Sequence, residues 1–343
     1  MSREYKKIKV WHDVTPDVFK HEIQSLGEPA VLKGLVKSWP STKAACQGVE
    51  SFLDYLRNLY AGGKVECAKL PAKENGLFFY NSQFDGFNFV REALPFESFL
   101  NELTENSIKE NSDVIALQSA PTEDYFPKFQ ELNHFETFSD KYISRVWIGN
   151  DSIVNAHHDD SENIACVVAG KRKFTLFPPQ QISNLYIGPL DFTPAGAAVS
   201  LVDFNNIDYK KFPKVKEALD QAFQVELDPG DAIYIPSLWW HHIEAQGGVN
   251  MLVNFWCGGA IAGEKYPFPL DNILMAILSV RSLPQVQKDA WREFFDYYVF
   301  SDQTDKHNHI PDSLKGVLAD LSSKQDKGLR QWLIKQLKAH NSK

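Results

Sequence analysis

The chain has 343 residues, 43% of them hydrophobic and 23% charged, with a net charge of −8. That length buries a substantial core and allows one large domain or one domain with an appendage. The composition excludes a fibrous or disordered class, and the acidic balance disfavours a nucleic-acid partner.

The 24 Phe, 12 Tyr and 8 Trp suit a β-rich core. Cys46, Cys67, Cys166 and Cys257 include no C-x-x-C pair and read as reduced thiols of a cytoplasmic protein. The opening residues 1–7 lack the apolar centre of a secretory signal. The longest apolar stretch, Ile273 to Val280, is too short to span a bilayer, so no membrane association is expected.

In chain order, Lys7–Trp11 reads as a short strand. Thr15-Pro16 supplies an N-cap and a first-turn proline for an amphipathic helix that Gly27 stops. Pro29–Gly34 reads as a strand ending in a turn, and Ser51–Tyr60 as a helix closed by Gly62-Gly63. A third helix follows Pro95, with Phe96, Phe99, Leu100 and Leu103 at helical spacing.

From about 113 to 259 the pattern changes to short β-like runs: Val114–Gln118, Ile143–Ile148, Ile153–Asp159, Ile164–Val168, Lys173–Phe177, Ala232–Ile235 and Met251–Trp256. Gly170, Pro178-Pro179 and Pro229-Gly230 punctuate them, which suggests a sandwich or jelly roll. Ile187–Phe223 reads as an irregular excursion between two barrel strands, suited to a lid or specificity loop. Beyond Gly263 the pattern is helical over Asn272–Val280, Pro284–Phe300, Leu314–Leu321 and Leu329–Leu337. The broad stripe of Val286, Ala290, Trp291, Phe294, Phe295 and Tyr298 points to a dimerisation element.

The chemistry-bearing residues lie in two of the β runs. On a strand, side chains alternate, so His157 and Asp159 face one way and His158 the other. His241 follows a turn, a strand and two tryptophans, Gly230–Ile235 and Trp239-Trp240. Two histidines and one carboxylate form one face of an octahedral Fe(II) site and leave positions open for a co-substrate and oxygen.

These motifs carry a resemblance. Val146–Gly149, Ala156–Asp159, Asn163, Gly170 through Pro179, Gly230–Pro236, Trp239–Glu244 and Val253–Trp256 run in the order and spacing of the JmjC-type, cupin-like 2-oxoglutarate oxygenases. The branch resembled is that of the asparaginyl hydroxylase of hypoxia-inducible factor, and the likeness covers roughly residues 5 to 262. It implies a mainly β fold with flanking helices: a double-stranded β-helix (jelly roll, cupin-like) with N-terminal α/β elements, over 1–262; the helical pattern beyond Gly263 adds a C-terminal helical region over 263–343. It implies His157, Asp159 and His241 as metal ligands, and His158 and His242 as histidines of the opposite face. It places a cation for the distal carboxylate of 2-oxoglutarate about fifteen residues after the first His, at Arg172, with Lys173 beside it as the alternative.

Asn163, six residues after His157, would share its face on a continuous strand, and Asn254 shares a face with Trp256. The resemblance assigns all three to the co-substrate pocket. Two departures stand out. Val154 occupies the position of a family Thr, and Val114–Gln118 lacks a family Tyr.

The implied activity is that of an Fe(II)-, 2-oxoglutarate- and O2-dependent dioxygenase that hydroxylates a protein side chain and releases succinate and CO2. Rival readings are an RNA or small-molecule hydroxylase of the same chemistry, another cupin metalloenzyme, and a non-catalytic metal-stabilised binding module.

Overall fold

The computed structural model describes residues 4–134, 142–258, 269–301, 306–319 and 322–340. Two compact units form, Met1–Ala262 and Gly263–Lys343. The expected end of the barrel at 259 and the 262/263 boundary lie outside the described residues.

The first unit is built on strands β1 (Lys9–His12), β2 (Ala30–Lys33), β3 (Lys64–Leu70), β4 (Leu77–Phe78), β5 (Val90–Pro95) and β6 (Val114–Pro121). It continues with β7 (Ile143–Gly149), β8 (Ser152–His157), β9 (Glu162–Phe177), β10 (Phe223–Leu227), β11 (Ala232–Ile235) and β12 (Trp240–Cys257). The sheet runs β1-β2-β11-β9-β12-β7-β6-β3-β5, with β10 beside β9, and β8 beside β12 and β4.

Two strands hold this sheet together. The runs 164–168 and 173–177, read from the sequence as two strands, are halves of one 16-residue strand, β9. It bends at Gly170, whose φ is +67°, opposite Gly247 and Gly248 of β12, also at positive φ. A Cβ on Gly170 would collide with Asn250 Cβ and the Gln246 carbonyl, so only glycine lets the strands approach so closely there. The first half of β9 pairs with β11 and the end of β12; the second half pairs with β10 and the start of β12. The sheet thereby folds over itself as in a jelly roll, and both halves face one cavity.

Burial on both faces explains the apolar runs. Leu32, Cys166, Val168, Tyr234 and Val253 pack outward with Phe52, Leu56, Phe99 and Leu103 of the N-terminal helices. Their strand neighbours Val31, Ala165, Val167, Ile233 and Leu252 pack inward. The helices are Val49–Leu59 and Phe96–Ser107, as the spacing suggested, with a further one, Pro40–Gln47, that it did not. Thr15 caps the segment after β1 by accepting the Val18 N–H, and Gly27 ends it in the left-handed conformation.

The excursion after β9 is more ordered than its sequence suggests. It contains a helix, Val215–Asp220, and ends at Phe223, where β10 begins. Leu185, Val202, Phe212, Val215 and Leu219 pack on Phe177 and Trp240, covering the outer face of the folded-over half.

The second unit contains helices Pro269–Ser279, Gln285–Phe295 (continued by a π turn, Asp296–Phe300) and Ser323–His340. The helix expected over Leu314–Leu321 is instead two 3-10 turns, Asp312–Leu314 and Gly316–Leu318; Gly316 at φ +54° interrupts it, and 320–321 lie outside the described residues. Trp291, Phe294 and, in the π turn, Tyr298 meet in succession with tilted rings and are about half-exposed. No helix among the described residues is long and apolar enough to cross a membrane.

Candidate metal centre

Strict alternation along β8 does not place His157. The pairing of β8 with β12 slips between His241 and Ile243: His157 lies opposite His241, but Val154 lies opposite Ile243. Asn155 and Ala156 therefore both face outward. Asn155 donates from Nδ2 to the carbonyls of Ser200 and Val202 at 2.8 Å each, and Ala156 packs in the outer cluster. Such a bulge re-aims the next side chain, here turning His157 into the cavity beside Val154 and Ser152.

β8 ends at His157, so Asp159 is not on a strand. A neighbouring turn holds it instead. Leu238 N–H donates to the Asp159 carbonyl at 2.9 Å, and Ser237 Oγ to the Asp160 carbonyl at 2.9 Å. Leu238 adopts φ +65°, a conformation unfavourable for a non-glycine residue that this pairing fixes. Asn163 likewise does not share a continuous strand with His157; it is the second residue of β9 and reaches back across the turn.

The three side chains converge. One ligand atom from each of His157, Asp159 and His241 lies within 4.8 Å of the others, and His241 Nε2 is 3.7 Å from Asp159 Oδ2. The imidazole centroids are 4.3 Å apart. His157 Nδ1 lies 2.8 Å from the Asn155 carbonyl and His241 Nδ1 3.0 Å from the Trp239 carbonyl. A carbonyl only accepts, so both Nδ1 atoms carry the proton and both Nε2 lone pairs are free for a metal. Burial pushes His157 down to about 4, with His241 adding to the effect and Asp159 opposing it. Burial also lowers His241 to about 4. Both rings are thus neutral near pH 7, as metal ligation requires.

Burial raises the Asp159 carboxyl, while His157, Asn163 and Trp256 pull it back. Asp159 Oδ2 accepts from Trp256 Nε1 and from Asn163 Nδ2, each at 3.1 Å. Asn163 Oδ1 in turn accepts from Asn254 Nδ2 at 2.8 Å. The three residues assigned to the co-substrate therefore form a relay that orients the carboxylate, and all three line the cavity.

Arg172 lines the same cavity, buried on the second half of β9. Its Nε has no hydrogen-bond partner. Burial lowers its pKa to about 10, opposed by Asp151. Lys173 faces the other way and pairs with Glu244 at 2.8 Å, so of the two cations Arg172 is the one that lines the cavity. His158 meets Trp240 edge-on, ring centroids 4.8 Å apart. His242 is buried on the outer face, with Nδ1 3.2 Å from Asn155 Oδ1. Two neutral imidazole nitrogens, one carboxylate and a buried, incompletely paired guanidinium are a donor set that fits a divalent transition metal and an organic acid.

Three contributors were not singled out from the sequence: Asn155, Gln118 and Trp147, the last two lining the cavity. An amide inside the apolar run Ile153–Ala156 was the one visible sign of the bulge.

The chain matches the model of the cupin-like domain over residues 16–258. It is 25% identical to "Lysine-specific demethylase JMJ31" of Arabidopsis thaliana, over 74% of this chain and 50% of that protein. It is 24% identical to "HSPB1-associated protein 1" of Rattus norvegicus, over 75% of this chain and 53% of the relative. With "tRNA wybutosine-synthesizing protein 5" of Danio rerio the identity is 24%, over 74% of this chain and 76% of the relative. The chain thus spans about half the length of the first two relatives and three quarters of the third. With its folded-over sheet and the match over most of its length, this chain belongs to the family of cupin-like, JmjC-type domains.

Proposed function

We propose that this protein is an Fe(II)- and 2-oxoglutarate-dependent dioxygenase that hydroxylates a protein side chain. The observation that carries the reading is the convergence of His157, Asp159 and His241 on a cavity that also contains the buried Arg172. His157 Nε2, His241 Nε2 and the Asp159 carboxylate would hold the metal. Arg172 would hold the distal carboxylate of the oxo-acid, replacing hydration that burial removes. Asn163 and Asn254 each use one amide hydrogen in the relay, so a second remains for the oxo-acid, with Trp256 beside them.

Bound together, iron, 2-oxoglutarate and O2 supply oxidative decarboxylation to succinate and CO2 coupled to hydroxylation of a C–H bond. The chain's own residues do the positioning. The Asn155 and Trp239 carbonyls fix both ring tautomers, and the Trp256–Asp159–Asn163 bonds fix the carboxylate. Apolar walls of Val154, Phe174, Ile235, Ile243 and Leu252 limit water in the cavity.

Relatives whose names refer to a demethylase and to a protein-associated factor support a protein substrate. A second reading, an RNA substrate, is favoured by the tRNA wybutosine-synthesizing relative, of which this chain covers 76%. A homodimer is proposed from the half-exposed Trp291, Phe294 and Tyr298. The free thiols of Cys46, Cys67, Cys166 and Cys257 fit a reducing cytoplasm. The test is succinate release from 2-oxoglutarate by the Fe(II)-loaded protein with a cell-extract peptide fraction or a tRNA fraction. Release by wild type and its loss in Asp159→Ala are expected; equal release by both rejects the proposal.

A further inference from the structure

Asp159 is the candidate ligand that no strand carries, because β8 ends at His157. Its position depends on the turn 236–239. That turn grips Asp159 through the Leu238 N–H, and it carries the Trp239 carbonyl that accepts His241 Nδ1–H. It is also strained, with Leu238 at φ +65°, so it persists only if something outside it holds it.

The outside support comes from the N-terminal segment. Trp239 Nε1 donates to the Gly27 carbonyl at 3.2 Å, and Gly27 ends the 3-10 turn Gln24–Leu26. The same short turn reaches a second support of the site. Gln24 Nε2 donates to Glu162 Oε2 at 2.5 Å, and the Tyr234 hydroxyl donates to Glu162 Oε1 at 2.6 Å. Glu162 lies opposite Cys257. The next pair along, Asn163 opposite Trp256, supplies both donors to Asp159 Oδ2. Side chains alternate along a strand, so Glu162 backs that pair from the outer face.

These bonds are not what docks the segment. Buried Phe19 and Ile23 do that, Phe19 meeting Tyr234 edge-on with ring centroids 5.2 Å apart. Gln24 is half-buried and Gly27 exposed, so neither adds much apolar burial, and their bonds act on orientation. We infer that Gln24 and the Gly27 carbonyl are positioning groups for Asp159 and His241: they touch neither ligand, yet they fix the two supports by which both are held. This inference rests on the metal reading of the triad.

The test is Zn(II) titration of the full chain and of four variants. Affinity should fall about tenfold, the scale of one hydrogen bond, in Trp239→Phe, which keeps a ring and loses the N–H, and in Gln24→Ala. The Co(II) absorption bands should shift in both. Gln24→Lys, which restores a donor to Glu162, should recover the wild-type affinity. Leu26→Ala, an exposed neighbour on the same turn, should leave it unchanged. By linkage, Zn(II) should slow amide exchange across residues 19–27 in wild type, and less so in Trp239→Phe. In the metal-free protein, His241 Nδ1–H, read by imidazole NMR, should exchange with water faster in Trp239→Phe than in wild type. Faster exchange there, with no Zn(II) bound by wild type, would keep the inference and reject the metal reading. Unchanged Zn(II) affinity in Trp239→Phe or Gln24→Ala, a loss in Leu26→Ala as large as in Gln24→Ala, or unchanged His241 exchange overturns the inference.

Discussion

Asn155 and His157 are joined through the backbone: the Asn155 carbonyl accepts His157 Nδ1–H at 2.8 Å. The Asn155 side chain meanwhile holds the carbonyls of Ser200 and Val202. One residue thus couples the outer covering segment to the orientation of an inner histidine. Asn155→Ala leaves two buried carbonyls without their donor and should destabilise the protein by roughly 2–4 kcal/mol. Urea unfolding of wild type and variant measures this; a loss below about 0.5 kcal/mol, the scale of a neutral surface change, would contradict the role.

Trp256 matters as a donor more than as a ring. Trp256→Phe keeps the apolar wall and removes the N–H to Asp159 Oδ2. Affinity for Zn(II) or Co(II) should fall about 10- to 100-fold, the usual cost of losing a group that orients a metal ligand. Isothermal titration measures it. Unchanged affinity would show that Asn163 alone orients the carboxylate.

Arg172 separates acid binding from metal binding. Arg172→Met removes a buried cation and fills similar space, so stability should hold or rise. Metal binding should persist, while 2-oxoglutarate affinity, read by anaerobic titration of the metal-loaded protein, falls about 100-fold or more, the scale of a lost charge-assisted pair. Retained affinity would move the acid site elsewhere.

The metal-free protein should lose stability on acidification. Burial pushes His157 and His241 down from 6.5 to about 4 and His242 to about 3. Below 6.5 the unfolded chain binds protons that these folded histidines refuse, so the stability they contribute falls as pH drops from 6.5 toward 4 and is flat above it. Each histidine contributes up to about 1.4 kcal/mol per pH unit in that window. Urea midpoints at about pH 7.5 and about pH 5 check the sign. Equal midpoints would show that the histidines are not buried as described.

The second unit offers a test of assembly. Phe294 is 56% exposed on the face with Trp291 and Tyr298. Wild type should sediment as a dimer and Phe294→Asp as a monomer. A monomeric wild type refutes the dimer proposal.

Much of the fold was legible because periodicity reports burial. Runs such as Ile164–Val168 are apolar on every residue because both sheet faces are covered. Strands β3, β4 and β5 are not marked by the pattern: β5 is largely exposed, and β4 has two residues. The candidate triad was legible as residue types but not through strand alternation, since a bulge and a turn bring His157 and Asp159 together. Arg172 stood out only through the family resemblance, with Lys173 as the alternative; that Arg172 and not Lys173 lines the cavity depends on the bend at Gly170, which sequence alone leaves open.

The central claim is that His157, Asp159 and His241 bind one metal ion. Anaerobic Fe(II) titration followed by X-ray absorption should give one ion per chain, with two imidazole nitrogens in its coordination sphere, and no binding in His241→Ala or Asp159→Ala. Unchanged stoichiometry in either variant, or a coordination sphere without histidine, would contradict it.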